Sequence, residues 1–246
     1  MMAERCASAR VCVIGGGAAG MMAAIRAASL GASVTLIERN DRCGKKLRIT
    51  GKGRCNVTNA CDAREFMQHV PTNPRFLYSA LSAFSTEDTV AFFEDAGVPL
   101  KVERGRRVFP VSDKAEDIVS ALVSGLRKNN VQIVHGRVSA IETEGGAVVG
   151  CRIGDRLVEA DSVIIATGGR SYPGTGSDGD GYALARSVGH TVTPLVPSLV
   201  PLTSKSRICP SLQGLSLKNV QLRLLDKNGK KKYSDFGEIT HIGVNI

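Results

Sequence analysis

The chain has 246 residues, of which 43% are hydrophobic, and its formal net charge at pH 7 is +9. This length and composition predict a globular protein of one large domain or two small ones, and they exclude a low-complexity chain. The chain holds 27 glycines, a share above the average of about 7%, which fits a protein built on nucleotide-binding loops.

Residues 11–39 read VCVIGGGAAGMMAAIRAASLGASVTLIER, which predicts a buried strand, a glycine turn, a helix and a second strand. Gly15, Gly17 and Gly20 form a G-x-G-x-x-G pattern between the first strand and the helix. The first glycine permits a tight turn, the second lets a pyrophosphate approach the backbone, and the third lets the helix pack closely on the strand. Glu38 ends the second strand, where a carboxylate can accept hydrogen bonds from ribose hydroxyls. The spacing predicts a dinucleotide site, and the alternative is a structural glycine turn that binds no ligand.

Other interpretations of this apolar segment fail. A signal peptide and a transmembrane helix both need an unbroken apolar run, and here the glycine cluster and Arg26 interrupt it. The seven cysteines are odd in number and none belongs to a C-x-x-C pair, which indicates free thiols in a reducing compartment. We therefore expect a cytoplasmic protein with no membrane partner. The four histidines match no metal spacing, so we also expect no metal site.

A polar, glycine-rich segment follows at residues 40–59, and a loop of this length inside a compact domain is usually functional. Three helices are then predicted from residues that cap their first turns. The predicted caps are Asn73 before Pro74, Ser85 with Asp88, and Asp113 with Glu116.

The strands that come next distinguish two kinds of dinucleotide domain. Residues 131–134 predict a further parallel strand, and short strands near residues 138–142, 148–152 and 157–160 predict a β-meander. Residues 163–166 predict a buried strand that leads into the sequence ATGG. Because a plain NAD domain continues with β-α units instead of a meander, the arrangement favours FAD over NAD.

Basic residues are concentrated in three segments. Residues 42–54 hold six Lys or Arg and no acid, residues 101–107 hold four against one Glu, and residues 227–232 hold four. A polyanionic partner such as RNA is one interpretation. A solvated surface, or attraction for the phosphates of a cofactor, is the other, and the lack of interleaved aromatic residues favours it.

Several longer stretches carry a resemblance to a known family. They are GGGAAGMMAA, CGKKLRITGKGRCNVTN, RVFPVSDKAEDIV, ATGGRSYPGTGSDGDGYALA and PSLVPL. With them the chain resembles the YhiN/BaiN-like flavoproteins, also described as aminoacetone-oxidase-like or NAD(P)/FAD-dependent oxidoreductases. The resemblance covers nearly the whole chain, and the GKGRCN block is specific. It implies an α/β fold, a Rossmann-like FAD-binding domain of the two-dinucleotide-binding (glutathione-reductase-like) type, interrupted by a β-rich insert.

The resemblance also implies which residues contact FAD. The glycine turn would lie at the pyrophosphate, Glu38 and Arg39 at the adenosine ribose, and the backbone of Val138 at the adenine. The implied cofactor-binding residues are Gly15, Gly17, Ala18, Ala19, Gly20, Glu38, Arg39, Lys46, Leu47, Arg54, Cys55, Asn56, Val138, Ala166, Thr167 and Gly168.

The last residues depart from the family pattern. Family members read approximately GELLFTHFGLSGP and then continue, whereas this chain reads GEITHIGVNI at residues 237–246. We therefore expect a C-terminally truncated member, with an FAD-binding domain at residues 1–190 and part of a β-rich substrate or insert domain at residues 191–246.

Two functional hypotheses remain. The first is an FAD-dependent oxidoreductase, with NAD(P)H as a candidate donor and a small amine, an enone-type compound or uracil in RNA as the substrate. A double-bond reduction would need a proton donor, for which Cys55 and Tyr172 are the candidates; a packed thiol and a loop anchor are the alternatives. The second hypothesis is an RNA-binding module with a vestigial nucleotide fold, or an inactive fragment of a flavoprotein.

Overall fold

The computed structural model describes residues 8–196, 208–212, 214–215 and 217–239 of the chain. The chain divides into two compact units, Met1–Thr193 and Pro194–Ile246. The assignment of a cofactor domain to residues 1–190 and of an insert domain to residues 191–246 stays a prediction.

The first unit alternates strands and helices. Its strands are β1 (Arg10–Ile14), β2 (Ser33–Glu38), β3 (Thr58–Asn59), β4 (Leu100–Glu103), β5 (Arg107–Pro110), β6 (Gln132–His135), β7 (Val138–Glu144), β8 (Ala147–Ile153), β9 (Arg156–Glu159) and β10 (Ser162–Ile165). Its α-helices are α1 (Ala18–Ser29), α2 (Ala63–Gln68), α3 (Tyr78–Ala83), α4 (Thr86–Asp95), α5 (Ala115–Lys128) and α6 (Asp180–Ser187). Short 3₁₀ segments lie at Leu47–Gly53, Pro74–Leu77, Arg104–Arg106 and Pro173–Thr175.

A parallel sheet of four strands organises this unit, in the order β10, β1, β2, β6. β1 pairs in parallel with both β2 and β10, and β2 pairs in parallel with β6. Because β1 lies inside the sheet, its apolar residues are covered on both faces, and Cys12 and Val13 are fully buried. The glycine turn that follows β1 therefore stands at the carboxyl edge of the sheet, which is where open α/β sheets bind ligands.

The two faces of the sheet have separate cores, since side chains alternate along each strand. Val13 and Leu36 pack into a core that includes residues of α1 and α5. Cys12 and Ile14 pack into the other core, with Val138 and Cys151 of the meander. The meander itself is antiparallel, β7 with β8 and β8 with β9. The sheet thus lies between a helical layer and the meander that the sequence predicts.

One of the three predicted helix caps is present. Ser85 Oγ accepts a hydrogen bond from the Asp88 backbone N–H at 3.0 Å, and Asp88 Oδ2 accepts one from the Ser85 N–H at 2.8 Å. This capping box begins α4. The cap predicted at Asn73 is wrong, because Asn73 makes no capping bond and its backbone is left-handed, with φ of 50°. The segment after it is a 3₁₀ turn followed by the short helix α3.

The capping box predicted at Asp113 and Glu116 is also wrong. The Asp113 carboxylate binds Lys101 Nζ at 2.8 Å and Arg54 Nη1 at 3.2 Å, and Glu116 binds Arg48 Nε at 2.6 Å. α5 begins after Lys114, which makes no side-chain cap bond. Cations far away in the sequence therefore outcompete the local backbone for these two carboxylates.

The second unit contains a short helix, α7 (Ile208–Ser211), and an antiparallel hairpin of β11 (Leu217–Leu225) and β12 (Lys231–Ile239). Asp226 shapes the turn, because its Oδ1 accepts hydrogen bonds from the N–H groups of Asn228 and Lys230, both at 2.9 Å. The departure from the family pattern predicted at residues 237–246 lies mostly outside the described residues. Within the described ranges, no helix has the length and apolar character needed to cross a bilayer.

Candidate functional site

The glycine turn connects β1 to α1, and its three glycines meet different surroundings. Gly15 has φ of 110°, and a Cβ there would lie 2.5 Å from the Ala166 carbonyl oxygen. A Cβ on Gly20 would lie 1.8 Å from the Gly15 carbonyl oxygen, so Gly20 permits close packing of α1 on the turn. Gly17 precedes α1 in an extended conformation, and a Cβ built on it meets no atom within 4 Å. The space in front of Gly17, next to the free N–H groups of a helix start, fits a pyrophosphate.

Glu38 at the end of β2 is only 5% exposed and holds the turn in place. Its Oε2 accepts a hydrogen bond from the Gly16 N–H at 2.6 Å. Its Oε1 accepts two hydrogen bonds from Asn40, from the backbone N–H at 2.7 Å and from Nδ2 at 2.6 Å. Because each carboxylate oxygen accepts two hydrogen bonds, Oε2 keeps one position for a further donor. A ribose hydroxyl fits that position.

A cleft of about 240 Å³ runs along this edge of the sheet. Most of the residues implied to bind FAD line it, namely Gly15, Gly17, Ala18, Ala19, Glu38, Arg39, Lys46, Leu47, Val138, Ala166, Thr167 and Gly168. The fold thus brings together residues from the glycine turn, the end of β2, the 3₁₀ segment after it, the start of β7 and the end of β10. Gly20 lies behind this surface, where it packs on Gly15.

One wall of the cleft comes from Thr175, Gly176, Ser177 and Asp180, which sequence reasoning did not assign. Arg39 Nη1 contacts Asp178 Oδ2 at 2.8 Å and Asp180 Oδ2 at 3.2 Å. The hydrogen bond from Arg39 lowers the pKa of the Asp178 carboxyl. Asn40 Nδ2 adds a weaker contact to the Thr175 carbonyl at 3.3 Å. The two acids in the sequence SDGDG were the available signal for this wall. Their partner Arg39 lies 141 residues before Asp180, so the sequence did not show the pairing.

Tyr172, a candidate proton donor, lies beside the cleft on the loop between β10 and α6. Its side chain is 55% exposed, and Lys46 Nζ lies 5.0 Å from its ring centroid. Its backbone forms an isolated bridge with Ser177, which is buried in the cleft wall. These contacts fit both the loop-anchor role and a position next to a bound molecule.

Cys55, the other candidate, lines a second cavity of about 270 Å³ together with Asn56. This cavity shares Ala18, Ala19 and Leu47 with the cleft, and aromatic residues of α4 contribute to its apolar wall. Cys55 is 1% exposed, and burial raises the pKa of its thiol. The thiol therefore keeps its proton at neutral pH.

Arg54 lies away from both cavities in the described structure. Its Nη1 binds Glu103 at 2.8 Å and Asp113 at 3.2 Å, and its guanidinium carbon lies 4.1 Å from the Phe109 ring centroid. Its implied contact with the cofactor stays a prediction. Among the described residues, no cluster of three or more His, Cys, Asp or Glu is arranged to hold a metal ion.

The sheet order, the glycine turn and the acid at the end of β2 define a Rossmann-like dinucleotide-binding fold. The model of the HI0933-like protein Rossmann domain matches residues 9–244, and the chain belongs to this family. The family membership and the fold class predicted from the sequence are confirmed.

Three similar proteins illustrate the relationship. The chain is 41% identical over 199 residues to the 3-dehydro-bile acid delta(4,6)-reductase of Clostridium scindens. This match covers 80% of the chain and 48% of the relative. It is 32% identical over 219 residues to the ribosomal RNA dihydrouridine synthase of Escherichia coli, a match that covers 88% of the chain and 54% of the relative. A 3-ketosteroid-delta4-(5alpha)-dehydrogenase structure from Rhodococcus jostii matches 67% of this chain and 47% of its own, with TM-score 0.50 and 20% identity, and supports the fold alone. The chain spans about half the length of the curated relatives it matches.

Proposed function

We propose that this chain binds FAD in the cleft and takes part in a flavin-dependent oxidoreduction. The observation that carries the proposal is the open space at Gly17 beside the acceptor position that remains on Glu38 Oε2. A cofactor with a pyrophosphate and a free ribose needs both features at the carboxyl edge of a parallel sheet. The β-meander after β6 favours FAD over NAD as that cofactor. NAD(P)H as the electron donor is part of the proposal and rests on the resemblance.

The names of two relatives point to one type of reaction. A delta(4,6)-reductase of a 3-dehydro-bile acid and a dihydrouridine synthase both saturate a carbon–carbon double bond that is conjugated to a carbonyl group. We propose the same reaction class here. When bound and reduced, FAD supplies the hydride for such a step. The protein must then deliver a proton to the carbon next to the carbonyl group.

Of the two candidate proton donors, Cys55 is the better protected and Tyr172 the better placed for exchange with water. The Cys55 thiol is buried in the apolar cavity that borders the cleft, and its raised pKa makes it a reluctant acid. The Tyr172 phenol is half exposed next to Lys46. A donor must recover its proton after each turnover, so we propose Tyr172 for the step and a packing role for Cys55.

We propose a small conjugated carbonyl compound as the substrate in preference to RNA. Several cations of the basic segments are already neutralised by nearby carboxylates, namely Arg48 by Glu116, Arg54 by Glu103, Lys101 by Asp113 and Arg106 by Glu65. An RNA-binding surface needs unpaired cations, because displaced counterions drive such binding. RNA stays the second candidate because of the dihydrouridine synthase relative.

The absorbance spectrum of the purified chain tests cofactor binding first. A flavin band that stays with the protein through gel filtration is expected. The chain with reduced flavin is then mixed, without oxygen, with a 3-oxo-delta4 steroid or with uridine-containing ribosomal RNA. Reoxidation of the flavin by the steroid alone is the expected result. Failure to bind flavin would refute the proposal, and reoxidation by RNA alone would replace the small molecule with the second candidate.

A further inference from the structure

Arg137 lies in the short connection between β6 and β7, in the lining of the cleft. The residue before it, Gly136, donates its N–H to the Glu38 carbonyl at 2.9 Å, which ties this connection to the end of β2. Gly136, Arg137 and Val138 all line the cleft. With a pyrophosphate at Gly17 and a ribose at Glu38, the base of a dinucleotide reaches this connection.

The Arg137 guanidinium donates a hydrogen bond to one carboxylate and forms a longer ion pair with a second. Arg137 Nη2 lies 3.2 Å from Asp178 Oδ2, and Arg137 Nε lies 3.7 Å from Asp180 Oδ2. Guanidinium N–H groups point outward in the plane of the group, so carboxylates bind its edge and leave its flat face available. The side chain is 58% exposed despite these contacts, which leaves room for a partner on that face.

The charge of Arg137 is balanced by the groups around it. Asp178 and Asp180 together face Arg137 and Arg39, two acids against two cations. Lys46 and Ala18, at the start of α1, also line the cleft and are the features suited to a phosphate. A neutralised cation adds little to phosphate binding, whereas a planar guanidinium still stacks well on an aromatic ring.

We propose that Arg137 is the base-stacking residue of this cleft, with its guanidinium plane packed against the adenine of the bound dinucleotide. This inference rests on the proposed cofactor site and adds a residue to it. Stacking recognises any flat base and depends on the plane of the side chain more than on its charge. Plane and charge can be separated by substitution.

The test measures ADP binding to the cofactor-free full chain by titration calorimetry, with four variants. Arg137→Lys keeps the charge and loses the plane, Arg137→Tyr keeps a plane and loses the charge, and Arg137→Ala loses both. Arg156→Ala, at an exposed arginine on β9, is the matched control. We expect affinity for ADP to fall about tenfold in the Ala and Lys variants and to stay within about threefold of the parent in the Tyr and control variants.

The outcomes distinguish the inference from its foundation. If the Lys variant binds ADP like the parent while the Tyr variant binds like the Ala variant, charge carries the contact and the stacking assignment is wrong. If all three variants bind like the parent, Arg137 does not contact the base. If the parent itself fails to bind ADP, the proposed cofactor site falls, and this inference falls with it.

Discussion

Gly17 is the residue of the turn where an added side chain would meet the proposed ligand instead of the protein. Its backbone is not left-handed, and a Cβ there meets no protein atom within 4 Å. We expect Gly17→Val to abolish flavin binding, because the new methyl groups would occupy the pyrophosphate position. The unfolding free energy of the flavin-free chain should fall by no more than about 1 kcal/mol, the cost of Val at a helix N-cap. Flavin content after purification and urea unfolding measure the two effects. Gly174→Val, at an equally open glycine outside the cleft lining, should keep its flavin.

Glu38 combines a structural role with a proposed ligand contact. In Glu38→Gln an amide replaces one carboxylate oxygen, so one of the present donors, or the ribose, faces an N–H group. We expect FAD affinity to fall by about 1–3 kcal/mol, the range for a hydrogen bond to a charged group. Quenching of flavin fluorescence measures the dissociation constant. Asp41→Asn, the same change of charge on an exposed neighbour, is the control, and equal constants for both variants would remove Glu38 from the site.

Cys43 packs under the same turn, and its buried thiol makes the stability of the fold depend on pH in the alkaline range. Burial, and then the Glu38 charge, raise its pKa from 9.0 to about 11. Between these values the unfolded chain has lost the proton and the folded chain has kept it. Unfolding therefore releases a proton, and the stability that is fully present below pH 9 falls as the pH rises toward 11. We expect urea unfolding of the parent to weaken more steeply in this window than that of Cys43→Ala. Parallel curves would contradict the assignment.

At the scale of single elements, α4 offers the clearest link between sequence and stability. Its capping box supplies two hydrogen bonds to the free N–H groups of the first turn. We expect Ser85→Ala to lower the unfolding free energy by about 1 kcal/mol, the usual cost of losing a helix cap. Chemical unfolding measures it. Ser120→Ala, on the exposed side of α5, should be neutral or slightly stabilising because alanine favours helix interiors. Similar losses in both variants would mean the cap contributes nothing specific.

The elements also show what could be predicted and what could not. The β1–α1–β2 unit was predictable because its signals, the glycine spacing and Glu38, act within 30 or so residues. The meander was predictable from its glycine turns. The cap at Asp113 was not, because its outcome depended on partners such as Lys101 that only the fold brings near. The ion pair between Arg39 and Asp178 could not be predicted for the same reason, since the two residues belong to distant segments.

At the scale of the whole molecule, the chain divides near Thr193. Boundaries between compact units are crossed by few contacts and are preferred sites of cleavage. We expect limited proteolysis to cut between the two units first and to leave a resistant fragment that contains the glycine turn. Mass spectrometry of the early fragments measures this. Early cuts inside the parallel sheet, at the same rate as cuts near the boundary, would argue against two units.

The position of β1 inside the sheet also determines when the first unit can fold during synthesis. Val11 pairs with Ser162, so β1 leaves the ribosome well before β10, with which it pairs. Contacts so distant in sequence form late, because a long loop must close before they add stability. The floor of the cleft at Ala166 follows β10 directly. The glycine turn thus lacks its neighbour Ala166 until β10 has been made, so we expect the proposed cofactor to bind only after β10 has paired with β1.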